Sequence, residues 1–241
     1  MKVKPLIYQQ AIRLKRLSEG RVHHPNVFHA SEAGDCTREI YFRKLRRPSE
    51  RGYKSKVDEA RIEMLLNDGR AHQAAVTSYL QQAPGIHITD IERDGLLVES
   101  PILITGHPDA VMHDVKTKER AVLEVKGLST WIPKYSRVQW EDYNIDTLKA
   151  NYPSAIPQAR VYMKMFNASS ANIVIKIKDN SELFEFIIEH DEIIYKRIVD
   201  KFLSVYKSIT NGEDKGVFCD FAKDSNRTKF CNYPGECGYG R

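Results

Sequence analysis

A chain of 241 residues, 41% hydrophobic and 29% charged, is long enough to bury a sizeable core and too apolar for a disordered polymer. No run of about 18 apolar residues occurs, so no membrane-spanning segment is expected. The formal charge of +5 suits a polyanionic partner without requiring one.

The opening MKVKPLIYQQAIRLKRL is too charged for a secretory signal. Residues 5–18 read as a basic helix, with an amphipathic presequence as the alternative, and a cytoplasmic location is expected. Residues 19–31 are polar and turn-rich, and Ser31 is placed to cap a helix from Glu32 to Lys44. Residues 46–56, RRPSERGYKSK, form a basic loop. The clearest helix covers 57–82, with Leu65, His72, Ala75, Val76 and Tyr79 on one stripe, and Pro84 and Gly85 end it.

Strand patterns follow. Residues 86–99 hold one or two strands, and 101–113 and 120–126 pair as a hairpin across the turn DVKTKE. The second of these is apolar on both faces apart from its charged end, which marks a central, covered strand. Residues 128–152 read as irregular. Pro153 opens a helix to about Phe166, residues 171–178 and 183–189 make a second strand pair, and a long helix fills 190–210. The order of elements predicts an α/β domain with a central mixed sheet flanked by helices. One domain is expected over 1–241: a helical N-terminal region to residue 56, a core over 57–210, and a tail over 211–241 rich in Gly, Pro, Asn and Cys. Such a tail needs a clamp to be ordered.

The chemistry-bearing residues cluster at the hairpin. Strand alternation places Glu124 and Lys126 on one face while Val125 turns away. Asp109 stands on the partner strand, which Gly106 and Pro108 would bend, so the hairpin can bring Asp109 to Glu124. Two adjacent carboxylates repel each other and call for a compensating cation. Mg²⁺ or Mn²⁺ suits oxygen ligands and activates water for attack on a phosphate. Lys126 would orient or deprotonate that water, or stabilise the transition state. An isolated E-x-K is common at strand ends, so its weight comes from its surroundings.

Those surroundings resemble the PD-(D/E)XK nucleases, and within them the RecB-type branch. The pattern D-x(14)-E-x-K lies on an apolar hairpin, a G-x-x-H helix (Gly69 to His72) lies upstream, and a Q-x-x-x-Y helix (Gln158 to Tyr162) lies downstream. Cys36 begins the segment Cys-Thr-Arg-Glu-Ile-Tyr41, and the marks occur in the family's order over residues 30–240. The resemblance implies a restriction-endonuclease-like core and a metal-dependent deoxyribonuclease, expected to act as an exonuclease on single strands or duplex ends. It implies a metal held by His72, Asp109, Glu124 and the Val125 carbonyl, with Lys126, Gln158 and Tyr162 at the reacting phosphate. Taken alone, His72 would be an ordinary core histidine. His107, two residues from Asp109, is the other histidine of interest.

Arg38, Lys44, Arg46 and Arg47 are candidates to guide a DNA backbone, and Arg160 and Lys164 to touch phosphates, although a solvated helix face explains the last two equally well. Trp131, Tyr135, Trp140 and Tyr143, interleaved with Lys134 and Arg137, suit stacking against single-stranded bases or packing of the loop on its own domain.

Four cysteines, Cys36, Cys219, Cys231 and Cys237, without a secretory signal suggest a metal or iron–sulfur site rather than disulfides. The arrangement resembles the AddB-like nucleases and the CRISPR-associated RecB-like exonucleases, in which a 4Fe-4S cluster pins the chain's end to its beginning. The C-x(11)-C-x(5)-C tail departs from the usual C-x-x-C, so structural zinc and free thiols stay as rivals. Small members of this kind serve CRISPR adaptation or phage recombination, whose proteins become possible partners. Two non-enzymatic readings stand beside the nuclease: a silent nuclease-fold module that binds DNA or a partner, and a redox-sensing DNA-binding regulator. No Walker A motif or G-x-G-x-x-G loop is present, so a motor is not expected.

Overall fold

The computed structural model describes residues 3–18, 24–47, 56–128, 143–213, 219–220 and 231–237. Six helices are described: α1 (Val3–Ser18), α2 (Thr37–Lys44), α3 (Lys56–Gln81), α4 (Ile145–Asn151), α5 (Ala155–Phe166) and α6 (Glu192–Asn211). The strands are β1 (Val27–His29), β2 (Ile86–Thr89), β3 (Gly95–Glu99), β4 (Ile102–Gly106), β5 (Ala110–Asp114), β6 (Arg120–Leu128), β7 (Ser170–Ile177) and β8 (Leu183–Glu189). A five-stranded mixed sheet runs β2-β5-β6-β7-β8, with β6 and β7 parallel and the other neighbours antiparallel. The architecture is α/β with helices flanking mixed sheets, as the order of elements predicts, and is consistent with a restriction-endonuclease-like core. No helix among the described residues is long and apolar enough to cross a membrane.

The doubly apolar sequence of β6 has its cause in its position. It is the middle strand, with Val122 and Leu128 in a large core and Leu123 and Val125 in a smaller one. Helix α5 buries Ala155, Ala159, Tyr162 and Met163 in the large core, and α6 adds Tyr195, Ile198, Val199, Phe202 and Val205. Asp191 caps α6 by accepting the Ile194 N–H at 3.0 Å, and Gly212 ends it in the left-handed region at φ 68°. The smaller core gathers Val76 of α3 with Leu123, Val125 and Val174.

Several elements differ from the sequence expectations. Residues 101–113 are two strands in different sheets, because the His107-Pro108 step lacks a ladder donor and breaks the strand between β4 and β5. β4 belongs to a second sheet of order β1-β4-β3. β1 pairs with it in parallel, so the N-terminal region contributes a strand as well as helices. Ser31 does not cap a helix from Glu32 to Lys44. Ala30–Gly34 form a 3₁₀ turn in which Glu32 accepts the His29 N–H at 2.9 Å, and α2 starts afresh after Cys36. Within the supposedly irregular 128–152, Asn144 accepts the N–H groups of Asp146 and Thr147 and caps α4. Leu65 and Tyr79 of α3 are exposed, 59% and 74%, so the buried stripe of that helix passes instead through Ala60, Glu63 and Val76.

Candidate active site

The break at Pro108 sets the site. β5 and β6 pair from Ala110↔Leu123 outward, so the next opposed pair is Asp109 and Glu124, just beyond the last ladder rung. There Asp109 Oδ2 takes the place of a strand partner and accepts the Val125 N–H at 2.5 Å. N–H and C=O of a strand residue point to the same side, so the Val125 carbonyl faces the same edge as Asp109. Glu124 is 1% exposed, and its Oε1 is buried without a hydrogen-bond partner. An unsatisfied buried carboxylate oxygen costs free energy unless a donor or cation meets it.

Lys126 shares the face of Glu124, and its Nζ lies 2.8 Å from Glu124 Oε2. Burial alone would lower the ammonium's pKa, but Glu124 and Asp109 outweigh it and hold Lys126 above its ordinary value. Lys126 is therefore a donor and a fixed positive charge. Burial first, then the charge of Glu124, pushes the Asp109 carboxyl up to about 7.

Helix α5 supplies the third wall. Gln158 and Tyr162, one turn apart, point together, with the Gln158 amide donating to the Tyr162 hydroxyl at 3.1 Å. Burial, then Glu124, holds the Tyr162 phenol above its ordinary value, so it remains a protonated donor. Gly106 admits this ring: a Cβ there would stand 2.9 Å from Tyr162 Cε1 and 3.1 Å from Ala30 Cβ. The structure thus brings together Asp109, Glu124, Lys126, Gln158, Tyr162 and the Val125 backbone.

His72 is set apart from them. Its ring Cδ2 would lie 3.5 Å from a Cβ built on Gly127, and Gly127 shares its face with Val125, opposite Glu124 and Lys126. The groups that bear on its imidazole are, after burial, Lys176 and Lys178, with Asp68 opposing them. Among the described residues no three His, Cys, Asp or Glu side chains are set to hold a metal ion. The carboxylate pair with its orphaned oxygen and the adjacent carbonyl nevertheless fits a hard divalent cation in donor chemistry.

The remaining candidates separate. Arg38 donates to the Glu236 carbonyl at 3.3 Å, and Arg47 pairs with the Glu236 carboxylate at 2.8 Å. Both guanidiniums lie over the Phe42 ring. Lys44 is buried and pairs with Glu32 at 3.5 Å, away from solvent. Arg46 occupies the turn after α2 at φ 56°. Arg160 donates to the Glu189 carbonyl at the end of β8, and Lys164 pairs with Glu192 at the start of α6. Trp131 and Tyr135, with Lys134, Arg137 and Trp140, lie outside the described residues. Tyr143 is buried and stacks on Phe184, 5.0 Å between centroids. His107 pairs with Asp94 at 3.6 Å rather than with Asp109.

The four cysteines share one neighbourhood. Cys36 stands at the N-cap of α2, and the adjacent Thr37 gives its N–H and hydroxyl to Asp220. Burial pushes the Cys36 thiol up to about 11, with Cys219 adding to it. Burial, then Cys219, Cys231 and Cys36, pushes Cys237 up to about 12. The tail is pegged by Asn232 to Glu39 at 2.5 Å, by the Tyr233 hydroxyl to the Arg47 carbonyl at 3.1 Å, and by Tyr233 against Phe42. Four soft thiols in mutual electrostatic reach fit a thiophilic metal or cluster as a donor set, although the thiols would have to draw closer to close on one.

Sequence reasoning missed Glu92, whose N–H donates to the Asp109 carbonyl at 3.3 Å and whose charge adds to that on Asp109. Gln73 of α3 donates to its carboxylate at 3.1 Å. Nothing in the polar turn between β2 and β3 marks this residue. Asp220, Asn232, Tyr233 and Glu236 were also missed, although their place beside cysteines in a tail that needs a clamp was a usable signal.

Neither a family model nor a curated protein matches this chain. Solved structures do. The crystal structure of SSO0001 is 14% identical and superposes with a TM-score of 0.58, over 98% of this chain and 96% of that one. An alkaline exonuclease from Laribacter hongkongensis is 15% identical, with a TM-score of 0.49 over 78% of this chain and 89% of that one. A phage related exonuclease from Haemophilus somnus 129PT is 12% identical, with a TM-score of 0.46 over 79% of this chain and 97% of that one. At these identities the likeness concerns the fold, and the chain shares its overall architecture with SSO0001 along nearly its whole length.

Proposed function

We propose that this protein is a metal-dependent deoxyribonuclease that hydrolyses phosphodiester bonds, acting as an exonuclease on single-stranded DNA or duplex ends. The observation that carries the reading is the pairing of Asp109 with the orphaned, buried Glu124 oxygen at a break in the sheet, with Lys126 on the same face. A protein gains nothing in stability from a buried carboxylate with an unmet oxygen, so such a feature points to a ligand.

Asp109, Glu124 and the Val125 carbonyl would hold Mg²⁺ or Mn²⁺. The cation would supply positive charge at the phosphate and make an attacking water more acidic. His72, on the opposite face, is left out of this ligand set. Lys126 is held protonated, which suits it to orient the water or stabilise charge on the phosphate oxygens rather than to act as the base. Tyr162, also kept protonated, and Gln158 offer donors to the phosphate or to the strand leaving it.

The same proposal extends to the cysteines. Cys36, Cys219, Cys231 and Cys237 would hold a 4Fe-4S cluster, with structural zinc as the alternative, and the tail's pegging to α2 supports that reading. Iron with sulfide, or zinc, in the purified protein decides between them.

The experiment is digestion of end-labelled single- and double-stranded DNA with Mg²⁺, Mn²⁺ or EDTA, with Glu124→Ala as control. Metal-dependent loss of label that the variant lacks is the expected result. Absence of digestion by metal-loaded wild-type protein would move the reading to a DNA- or partner-binding module.

A further inference from the structure

Across the sheet from Lys126 lies a group of cationic side chains for which the cleavage chemistry has no use. β6 and β7 run parallel and end together, with Gly127 opposite Lys176 and Leu128 opposite Ile177. Paired residues on neighbouring strands project to the same face. Lys176, and Lys178 two residues on, therefore share the face of Gly127, while Glu124 and Lys126 occupy the other. Lys178 lies directly over Gly127: a Cβ on that glycine would stand 2.9 Å from Lys178 Cε. His72 reaches the same spot from α3.

Among the described residues neither Lys176 nor Lys178 forms an ion pair. Lys176 Nζ donates only to the Ser181 hydroxyl, at 3.0 Å, which holds it on the turn that leads into β8. Burial and then the two lysines hold His72 below its ordinary value, with Asp68 opposing them, so both cations bear on the spot over Gly127. Two lysines gathered at the strand ends, neither paired with a carboxylate among the described residues, with a glycine that lets one of them lie on the backbone, suit an anionic ligand.

We propose that Lys176 and Lys178 form a phosphate site for the DNA strand, on the face of the sheet opposite the carboxylate centre. The inference rests on DNA as the substrate. It assigns these residues to holding the strand rather than to breaking it, with the neighbouring phosphodiester as ligand. One face of the strand ends then holds the scissile phosphate and the other anchors the backbone.

The test is binding of a fluorescein-labelled oligothymidine, followed by anisotropy in EDTA over a series of salt concentrations. Each lysine–phosphate contact to a single strand contributes about 0.7 to the slope of log affinity against log salt. Lys176→Gln with Lys178→Gln should weaken binding roughly tenfold at low salt and flatten the slope by about 1.4. Lys176→Arg with Lys178→Arg, which keeps both charges, should retain the slope. Gly127→Ala, which pushes Lys178 aside, should give an intermediate loss. Equal affinity and slope in the Gln variant and the wild type would overturn the site. Digestion with Mg²⁺ in the same preparations separates this from the nuclease reading: intact, slope-sensitive binding without cleavage removes the nuclease and keeps the site, whereas cleavage with unaltered binding by the Gln variant does the reverse.

Discussion

Asp109 meets Val125 across 16 residues of chain, whereas Thr37 meets Asp220 across 183. The first contact follows from one hairpin: once β5 and β6 pair in register, the carboxylates can stand nowhere else. The second closes nearly the whole chain and, among the described residues, goes with a handful of polar pegs and one buried tyrosine. Loop-closure entropy grows only slowly with length, so distance alone does not make the tail weak. Among the described residues the tail meets the core through Tyr233, Cys231 and Cys237. The carboxylate centre should therefore survive loss of the tail, and the tail should survive loss of the centre.

The largest expected effect is on the hairpin. Lys126→Ala should lower metal-dependent cleavage by about a hundredfold to a thousandfold, the scale of removing one fixed donor from a transition state. The tail should resist limited proteolysis as the wild type does. If the tail is released together with the activity, the two regions are one cooperative unit and the comparison fails.

Next comes the tail's anchor. Tyr233 is 4% exposed and packs on Phe42, 5.4 Å between ring centroids. Tyr233→Ala should cost about 3 kcal/mol of whatever free energy docks the tail. Protease should then cut beyond residue 213 while the cleavage rate per folded molecule stays within about twofold, since large-to-small changes act mainly where the cavity forms. A hundredfold fall in rate would show that the tail positions the carboxylates.

How much of this could be read in advance follows the same division. The hairpin, the central place of β6 and the facing of Glu124 and Lys126 were legible because strand periodicity is local. The split of 101–113 into two sheets was legible only in part. Gly106 and Pro108 announce a bend, but pairing of β4 with Val27–His29 is a tertiary choice that no local pattern encodes. The surroundings of His72 were not legible for a related reason: helical spacing fixes its face on α3, not which side of the sheet α3 covers. The exposed Leu65 and Tyr79 record the same limit, since an apolar stripe shows that a helix can be covered without showing what covers it. The convergence of Cys36 with three tail cysteines could be suspected from the tail's composition, and the place of Asp220 to Glu236 beside those cysteines hinted at pegs, while the partners of those pegs on α2 are a tertiary choice.

Proton linkage sharpens the comparison next. The Asp109 carboxyl is pushed up to about 7 from an ordinary 3.8, so the metal-free folded protein binds this proton more tightly than the unfolded chain. Its contribution to stability is present below about pH 4 and is lost as pH rises towards 7. Asp109→Asn should then be more stable than metal-free wild type at pH 8 and lose that advantage at pH 4, by denaturant titration. A metal must displace the same proton, so Mn²⁺ affinity should rise about tenfold per pH unit up to about 7 and level off above it. A flat profile from pH 5 to 8 would mean that Asp109 is not a ligand. The thiols, pushed up to about 11 and 12 at Cys36 and Cys237, would instead release protons on loading throughout that range.

The smallest effect is the most selective. Asp220 accepts the Thr37 N–H at 2.9 Å and the Thr37 hydroxyl at 2.7 Å, so a tail residue caps α2 in place of the helix's own N-cap, Cys36, whose side chain makes no capping bond. Asp220→Ala removes that cap and should cost about 1 kcal/mol. For a chain of this size the midpoint of thermal unfolding should fall by about 2–4 °C. Asp220→Asn keeps an acceptor and should recover most of the loss. If cysteine loading draws Cys36 and Cys219 together, it also fixes Asp220 against Thr37, and the penalty should shrink in the loaded protein. An equal penalty with and without iron or zinc would mean that the cap and the thiols act independently, and that the tail is held by its pegs alone.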